Sequence, residues 1–356
     1  MAKEALKGKI YKCPSCGSTL CFDPASQRLK CTHCNSLQEL VAPRDAFEIT
    51  YSASSEDSYA PWGDAKTVKC RSCGAEFVTA EFETALSCPF CGTSNVLRTD
   101  DIPGLKPNAI LPFKITEEAA KEAFRKWLGK RSMSPHGLKK IAEQKHMQGI
   151  YVPIFTFDSD TFSTYHIKYG IHRTIVVGSG KDAKTLVVTD WYTDSGMYSD
   201  SFDDIQVEVS QFLTQKNLRK IGGFDSQNAF EYNSQYIAGF SAERYSTGLD
   251  DSWNYARAEI DSSIKRSILS RYNYDELEYV NISTTYSNRR YKYLLAPIWS
   301  LVYNYKGKEY CCIVNGRTGQ ADGKAPLSPI KVAIVSIASV AVLAGIIYLI
   351  YKFFIQ

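Results

Sequence analysis

KCPSCGSTLCFDPASQRLKCTHC, Lys12–Cys34, is answered further along the chain by KCRSCGAEFVTAEFETALSCPFC, Lys69–Cys91. Both stretches read C-x2-C-x14-C-x2-C, the second displaced from the first by 57 residues. Two thiolates separated by two residues sit on one tight turn and clamp one side of a metal ion. The 14-residue interval lets a short hairpin bring a second clamp to the other side, completing a tetrahedral S4 site. The spacing therefore predicts two structural Zn²⁺ ions. Cys13, Cys16, Cys31 and Cys34 hold one, and Cys70, Cys73, Cys88 and Cys91 hold the other. A redox pair would instead open a helix in a βαβ unit, and no such unit is signalled.

Aligning the two copies sorts the neighbouring residues. Cys21 falls opposite Val78 and His33 opposite Phe90, so neither is expected to bind metal. Leu20 pairs with Phe77 and Leu29 with Leu86, a core too small to fold without the ion. Gly17 and Gly74 follow the second cysteine of each opening pair, where a positive φ is expected.

The 356 residues carry a formal net charge of only +4. Lys9, Lys12, Arg28 and Lys30 face Asp23 in the first module, while Lys66, Lys69, Arg71 and Arg98 face Glu76, Glu81 and Glu83 in the second. The segment between adds Asp45, Glu48, Glu56, Asp57 and Asp64 against Arg44 and Lys66. That is no phosphate-tracking stripe, so nucleic acid is not the favoured partner. The start, MAKEALKGKIYKC, lacks the apolar run of a secretory signal. Thiols arranged for metal also favour a reducing compartment.

At the far end Val332–Tyr351, VAIVSIASVAVLAGIIYLIY, contains no charged residue. At ~1.5 Å per residue such a run spans the ~30 Å hydrocarbon core of a bilayer. Lys331 and Lys352 bracket it, and Tyr348 and Tyr351 stand where interfacial aromatics belong. Lys324 and Lys331 precede the run and Lys352 follows, which with the thiols places the N-terminal side in the cytoplasm of a single-pass, tail-anchored protein. Ala341 and Gly345 would let a second helix approach.

The middle of the chain mixes helix and strand. TEEAAKEAFRKWLGKR, Thr116–Arg131, opens with an N-cap threonine and repeats Ala119, Ala123, Phe124, Trp127 and Leu128 at helical spacing. YVPIFTFDSDTFSTYHIKYG (Tyr151–Gly170), RTIVVGSG and KTLVVTDWY read as extended. A second half repeats that order loosely: a helix around Trp253–Ser270, then ELEYVNISTTYSN, YLLAPIWSLVYNY and KEYCCIVNGRTGQADG. Val152-Pro153-Ile154-Phe155 echoes Ala296-Pro297-Ile298-Trp299, which suggests an internal duplication. The prolines predict edges or bulges, and Lys306-Gly307 and Asn315-Gly316 predict hairpin turns. Cys311 and Cys312 should face opposite sides of one strand.

The expected architecture is α+β and multidomain, with a mixed antiparallel sheet. A zinc-stapled β module spans 9–41, a linker 42–65 and a second module 66–99. An α+β domain follows over 100–328 and a transmembrane helix over 331–352.

No catalytic set stands out. GSGKD, Gly178–Asp182, mimics a phosphate loop, but Ile175 replaces the first glycine and Asp182 the magnesium-binding hydroxyl. Asp158, Asp160, His166 and His172 lie close in sequence and are the one constellation that would gather a metal or an acid–base pair; polar strand faces explain them equally well.

The cysteine modules resemble zinc ribbons of the transcription-factor-IIB type. Over nearly the whole chain the order of parts resembles the bacterial TFIIB-type zinc-ribbon membrane proteins. That resemblance rests on DSYAPWGDAKTVKCRSCGAEF, ILPFKI, GIYVPIFTFD, YIAGFSAERY, LAPIW and VNGRTGQADGKAPLS, followed by the tail helix. It implies a non-enzymatic membrane adapter in an envelope-stress response. The partners it implies are PspA-like or SPFH/flotillin-like proteins, another membrane protein, or a second copy of the chain. The competing expectation is a membrane-tethered nucleic-acid-binding protein.

Overall fold

A computed structural model describes residues 11–52, 66–79, 88, 90–91, 93, 96–99, 105–135, 138, 147–178, 180, 183–211 and 213–354. The first cysteine module supplies β1 (Leu20–Asp23), β2 (Arg28–Cys31) and β3 (Leu37–Gln38), followed by β4 (Ile49–Thr50). The second supplies β5 (Lys66–Cys70), β6 (Glu76–Thr79) and β7 (Val96–Thr99). Then come β8 (Ala109–Ile110), α1 (Glu117–Gly129), β9 (Gln148–Val177), β10 (Lys184–Glu208) and α2 (Gln215–Lys220). The rest is β11 (Phe230–Glu231), β12 (Ser241–Glu243), α3 (Leu249–Leu269), β13 (Glu276–Tyr305), β14 (Lys308–Asn315), β15 (Ala321–Gly323) and α4 (Pro329–Phe354). The mixed α+β architecture expected from sequence is observed. Residues 53–65 of the linker, residues 9 and 10, Glu81, Glu83, Leu86, Ser179, Lys181 and Asp182 lie outside the described residues.

β9 and β13 are each 30 residues long, and they run antiparallel side by side through a 12-stranded sheet. Alternation explains their length. Along β9, Phe157, Ser159, Thr161, Ser163, Tyr165 and Ile167 are buried while Phe162, Thr164 and His166 are exposed. The buried face lies under α3, whose Trp253, Ala256, Ile260, Ile264 and Ile268 form its apolar stripe. The segments Glu276–Asn288 and Tyr293–Tyr305, separate runs in the sequence reading, are one strand. Bulges between Leu277/Tyr279 and Ser287/Arg290 absorb the irregularity without breaking it.

The prolines correct an expectation. Pro153 and Pro297 are not at the sheet edge: Pro153 pairs with Leu295 and Pro297 with Tyr151 in the middle of the sheet, where the register is continuous. Each stands where its strand changes neighbours. On the far side of β9, β10 pairing ends at Ile154 and β12 pairing begins at Tyr151. On the far side of β13, β8 ends at Leu295 and β14 begins at Ile298. A residue with no N–H is tolerated in those gaps.

The two halves repeat one order of elements. β8, α1, β9 and β10 are followed by β12, α3, β13 and β14. β8 joins β13 in parallel and β12 joins β9 in parallel, so each short strand completes the other half. Thr116 caps α1 by accepting the Ala119 N–H, and Ala120, Phe124 and Leu128 form its buried stripe. Lys306 and Gly307 take φ of +53° and +78° in the predicted hairpin turn.

Beyond the core, β13, β9 and β10 continue as a three-stranded arm. At ~3.3 Å per residue β9 measures ~100 Å end to end. The root of α4 lies at the opposite end of β9 from the hairpin tip. There Ser328 N–H donates to Met133 O at 2.8 Å, and Lys331 Nζ donates to Ser132 O and Ser134 O at 2.9 and 2.8 Å. α4 is long and apolar enough to cross a membrane, and none of its most apolar window is buried.

Candidate metal centres

Among the described residues, three of the cysteine pairs show the same turn. Gly17 N–H donates to Cys13 O at 2.8 Å and Gly74 N–H to Cys70 O at 2.9 Å, with the glycines at the expected φ of +75° and +79°. At the return pair Asn35 takes that place at φ +58°, donating to Cys31 O at 3.2 Å. The same turn recurs without glycine because asparagine tolerates the left-handed region. The first cysteine of every pair, Cys13, Cys31, Cys70 and Cys88, is buried, and its partner lies nearer the surface.

The turns bring the eight thiols together as two groups of four, each with all sulfurs within 4.8 Å of one another. Cys13 and Cys34 stand 3.6 Å apart, Cys16 and Cys31 3.4 Å, and Cys70–Cys91 and Cys73–Cys88 3.6 Å each. These separations are far above the ~2.05 Å of a disulfide. They approach the ~3.8 Å edge of a tetrahedron whose ligands lie ~2.3 Å from a central ion. The electrostatics agree. Burial, with the Cys70 and Cys91 sulfurs adding, pushes the Cys73 thiol up to about 11, so the four do not ionise together unaided. A bound dication reverses that preference. The donor set fits a metal ion, is consistent with zinc, and is closed by four protein ligands.

Sequence reasoning missed Ser36, whose hydroxyl lies 3.1 Å from Cys13 Sγ and 3.2 Å from Cys34 Sγ. Cys21 and His33 belong to neither group. Cys21 lies on β1 against the Gly239 loop, and His33 is exposed. Leu20, Leu29 and Phe77 are buried, as the small cores require.

The Asp158, Asp160, His166 and His172 constellation does not gather. These residues share a face but are strung along β9, with ~46 Å of strand between the first and last. Asp160 accepts hydrogen bonds from Ser201 and Asn288, both at 2.7 Å. His166 stands between Asn281 and Ser195 of the flanking strands, and His172 contacts Glu276 at 2.8 Å. Asp158 instead meets Glu48 and Asp203, from segments distant in sequence. Burial, with Glu48 and Asp203 adding, holds its carboxyl up at about 7. Gly178 and Gly180 of the GSGKD segment follow the end of β9 and precede β10, and its other three residues lie outside the described residues. Cys311 is exposed and Cys312 buried, on opposite faces of β14.

The chain is similar over 333 residues to the uncharacterized protein YdjG of Bacillus subtilis (strain 168), with 28% identity. The match covers 91% of this chain and 92% of that protein. No family model and no solved structure matches.

Proposed function

We propose that this protein is a membrane-anchored, non-enzymatic adapter of the bacterial cytoplasmic membrane, with two structural zinc ions. In this reading α4 crosses the bilayer, the body lies in the cytoplasm, and the partner is a protein of an envelope-stress system. PspA-like and SPFH/flotillin-like proteins are the candidates. Similarity to a Bacillus subtilis protein along nearly the whole chain supports the bacterial setting.

The observation that carries the reading is the uncovered face of the arm. Phe162, Trp191, Met197 and Tyr279 are exposed there among Ser195, Ser199, Ser283 and Thr285. Exposed apolar residues on a long polar sheet face suit protein contact. The ribbons are less suited to nucleic acid because the body already engages them. In the first, Phe22 packs on Tyr236 and Tyr11 bonds Ser234 at 2.9 Å; in the second, β6 pairs with β12.

Affinity purification from membranes tests the proposal, comparing the full chain with Phe162→Asp/Met197→Asp and with a chain truncated at Ser328. A partner retained by the full chain and lost from the double variant supports it. Failure of the full chain to retain any protein sinks it. So does nucleic-acid binding that falls steeply with salt and is lost on Cys13→Ser.

A further inference from the structure

At the root of the arm four carboxylates converge: Glu48 just before β4, Asp158 on β9, and Asp203 and Asp204 on β10. One oxygen from each of Glu48, Asp158 and Asp203 lies within 4.8 Å of the others. Two cationic side chains of β13 answer them. Arg290 Nη1 reaches Glu48 at 2.7 Å, and Lys292 Nζ reaches Asp204 at 2.8 Å and Glu48 at 3.6 Å. Four carboxylates against two cations leave a formal excess of two negative charges.

The group is also incompletely bonded. Asp158 is 2% exposed; its Oδ1 accepts the Asp204 N–H at 2.9 Å. Its Oδ2 is buried and accepts no hydrogen bond among the described residues, with Arg290 Nε 3.8 Å away. Thr156 Oγ1, fully buried on the same strand face, likewise has no partner. The backbone is shaped to make this convergence. Asp204 takes φ +54° at the bulge between Phe202 and Ile205, so β10 brings two consecutive acids to one place. Buried carboxylates brought together this way need a proton or a cation between them.

We propose that Glu48, Asp158 and Asp203 bind one hard divalent cation, of the calcium, magnesium or manganese class. An all-oxygen donor set selects such ions as the thiol clusters select softer ones. The ion offsets the charge excess, supplies the missing partner of Asp158 Oδ2, and ties the segment before β4 to both strands of the hairpin. It fixes the arm at its root.

Manganese is the probe. Full-length, zinc-loaded protein in detergent micelles is titrated with Mn²⁺, and the free ion is read by electron paramagnetic resonance. One Mn²⁺ per chain is expected, displaced by excess Ca²⁺ or Mg²⁺. Asp158→Asn and Asp203→Asn should each weaken binding roughly tenfold or more. Asp160→Asn, on the same face but bonded to Ser201 and Asn288, should leave it unchanged, and zinc content should be constant throughout. Asp203 is exposed, so its variant decides the matter even where Asp158→Asn fails to fold. No binding by the native chain, or equal binding by Asp203→Asn, overturns the proposal and leaves a proton between the carboxylates.

Discussion

The two cysteine modules share a ligand spacing to the residue, yet they are joined to the body in different ways. The first makes its own three-stranded sheet, β1-β2-β3, and leans on the loop before β12 through side chains and one backbone bond, Phe22 N–H to Ala238 O at 2.9 Å. The second has no separate sheet. β6 pairs with β12, β12 pairs with β9, and the module extends the main sheet outward. A metal site with one spacing can therefore be a satellite in one place and part of the frame in another. The difference comes from the backbone beside the cysteines, not from the ligands.

Removing thiols gives the largest contrast. Zinc supplies on the order of 10 kcal/mol to the folding of small ribbons. Cys70→Ser/Cys73→Ser should leave one zinc per chain and strip amide protection from β12 and from β9 around Ile150. Cys13→Ser/Cys16→Ser should lose one zinc as well but keep that protection. Zinc analysis with hydrogen exchange reads both, and equal effects on β9 would erase the distinction.

Next is the seam of the second module. Glu243 sits opposite Phe77 across the β12–β6 pair, 1% exposed, and burial pushes its carboxyl up from 4.5 to about 8. Glu208 is raised in the same way, also to about 8. The folded state then holds these protons more tightly than the unfolded state does. Stability is complete below the unfolded pKa and falls as pH rises from about 4.5 to about 8. Glu243→Gln, which keeps the acceptor for Gln211 N–H, should flatten part of that slope and raise the melting temperature at pH 8 by several degrees, ~1–3 kcal/mol. Thermal melts from pH 5 to 8 check it; an unchanged slope would put the pH dependence elsewhere.

A smaller effect belongs to the first module's contact. Gly239 has φ +83°, and a Cβ there would lie 2.8 Å from Cys21 Cβ and Sγ. Gly239→Ala should cost ~1–3 kcal/mol and loosen the first module while sparing the second. Limited proteolysis separates the two outcomes. Smallest of all, His33→Ala should change stability by less than ~0.5 kcal/mol and leave two metal ions bound, because His33 is exposed and outside the cluster.

Much of this was legible in the chain itself. Eight cysteines, two glycines with positive φ, the Thr116 cap, the Lys306-Gly307 turn and the apolar tail each carry a local signal, because the physics behind them acts within a few residues. What was not legible is set by pairing. Glu276–Asn288 and Tyr293–Tyr305 look like two strands because bulges interrupt the alternation, and only β9 alongside shows that they are one. Asp158 looked like a companion of Asp160 and His166; its real neighbours, Glu48 and Asp203, are brought in by β4 and by the bulge in β10. Ser36 carries no motif at all, and its place beside two sulfurs follows from the turn that precedes it.

The forks at Pro153 and Pro297 have a consequence for fidelity of assembly. A slip of one residue between β9 and β13 would exchange the buried and exposed faces along the whole arm. Stretches of Ser and Thr such as 283–285 and 163–164 do little to forbid it. The prolines do forbid it, because a slipped neighbour would face a ring where it needs an N–H. Asp204 and Asn288, at φ +54° and +51°, mark bulges on the two flanking strands. The long strands are thus keyed at the core, and the featureless stretch beyond is aligned by extension from that key.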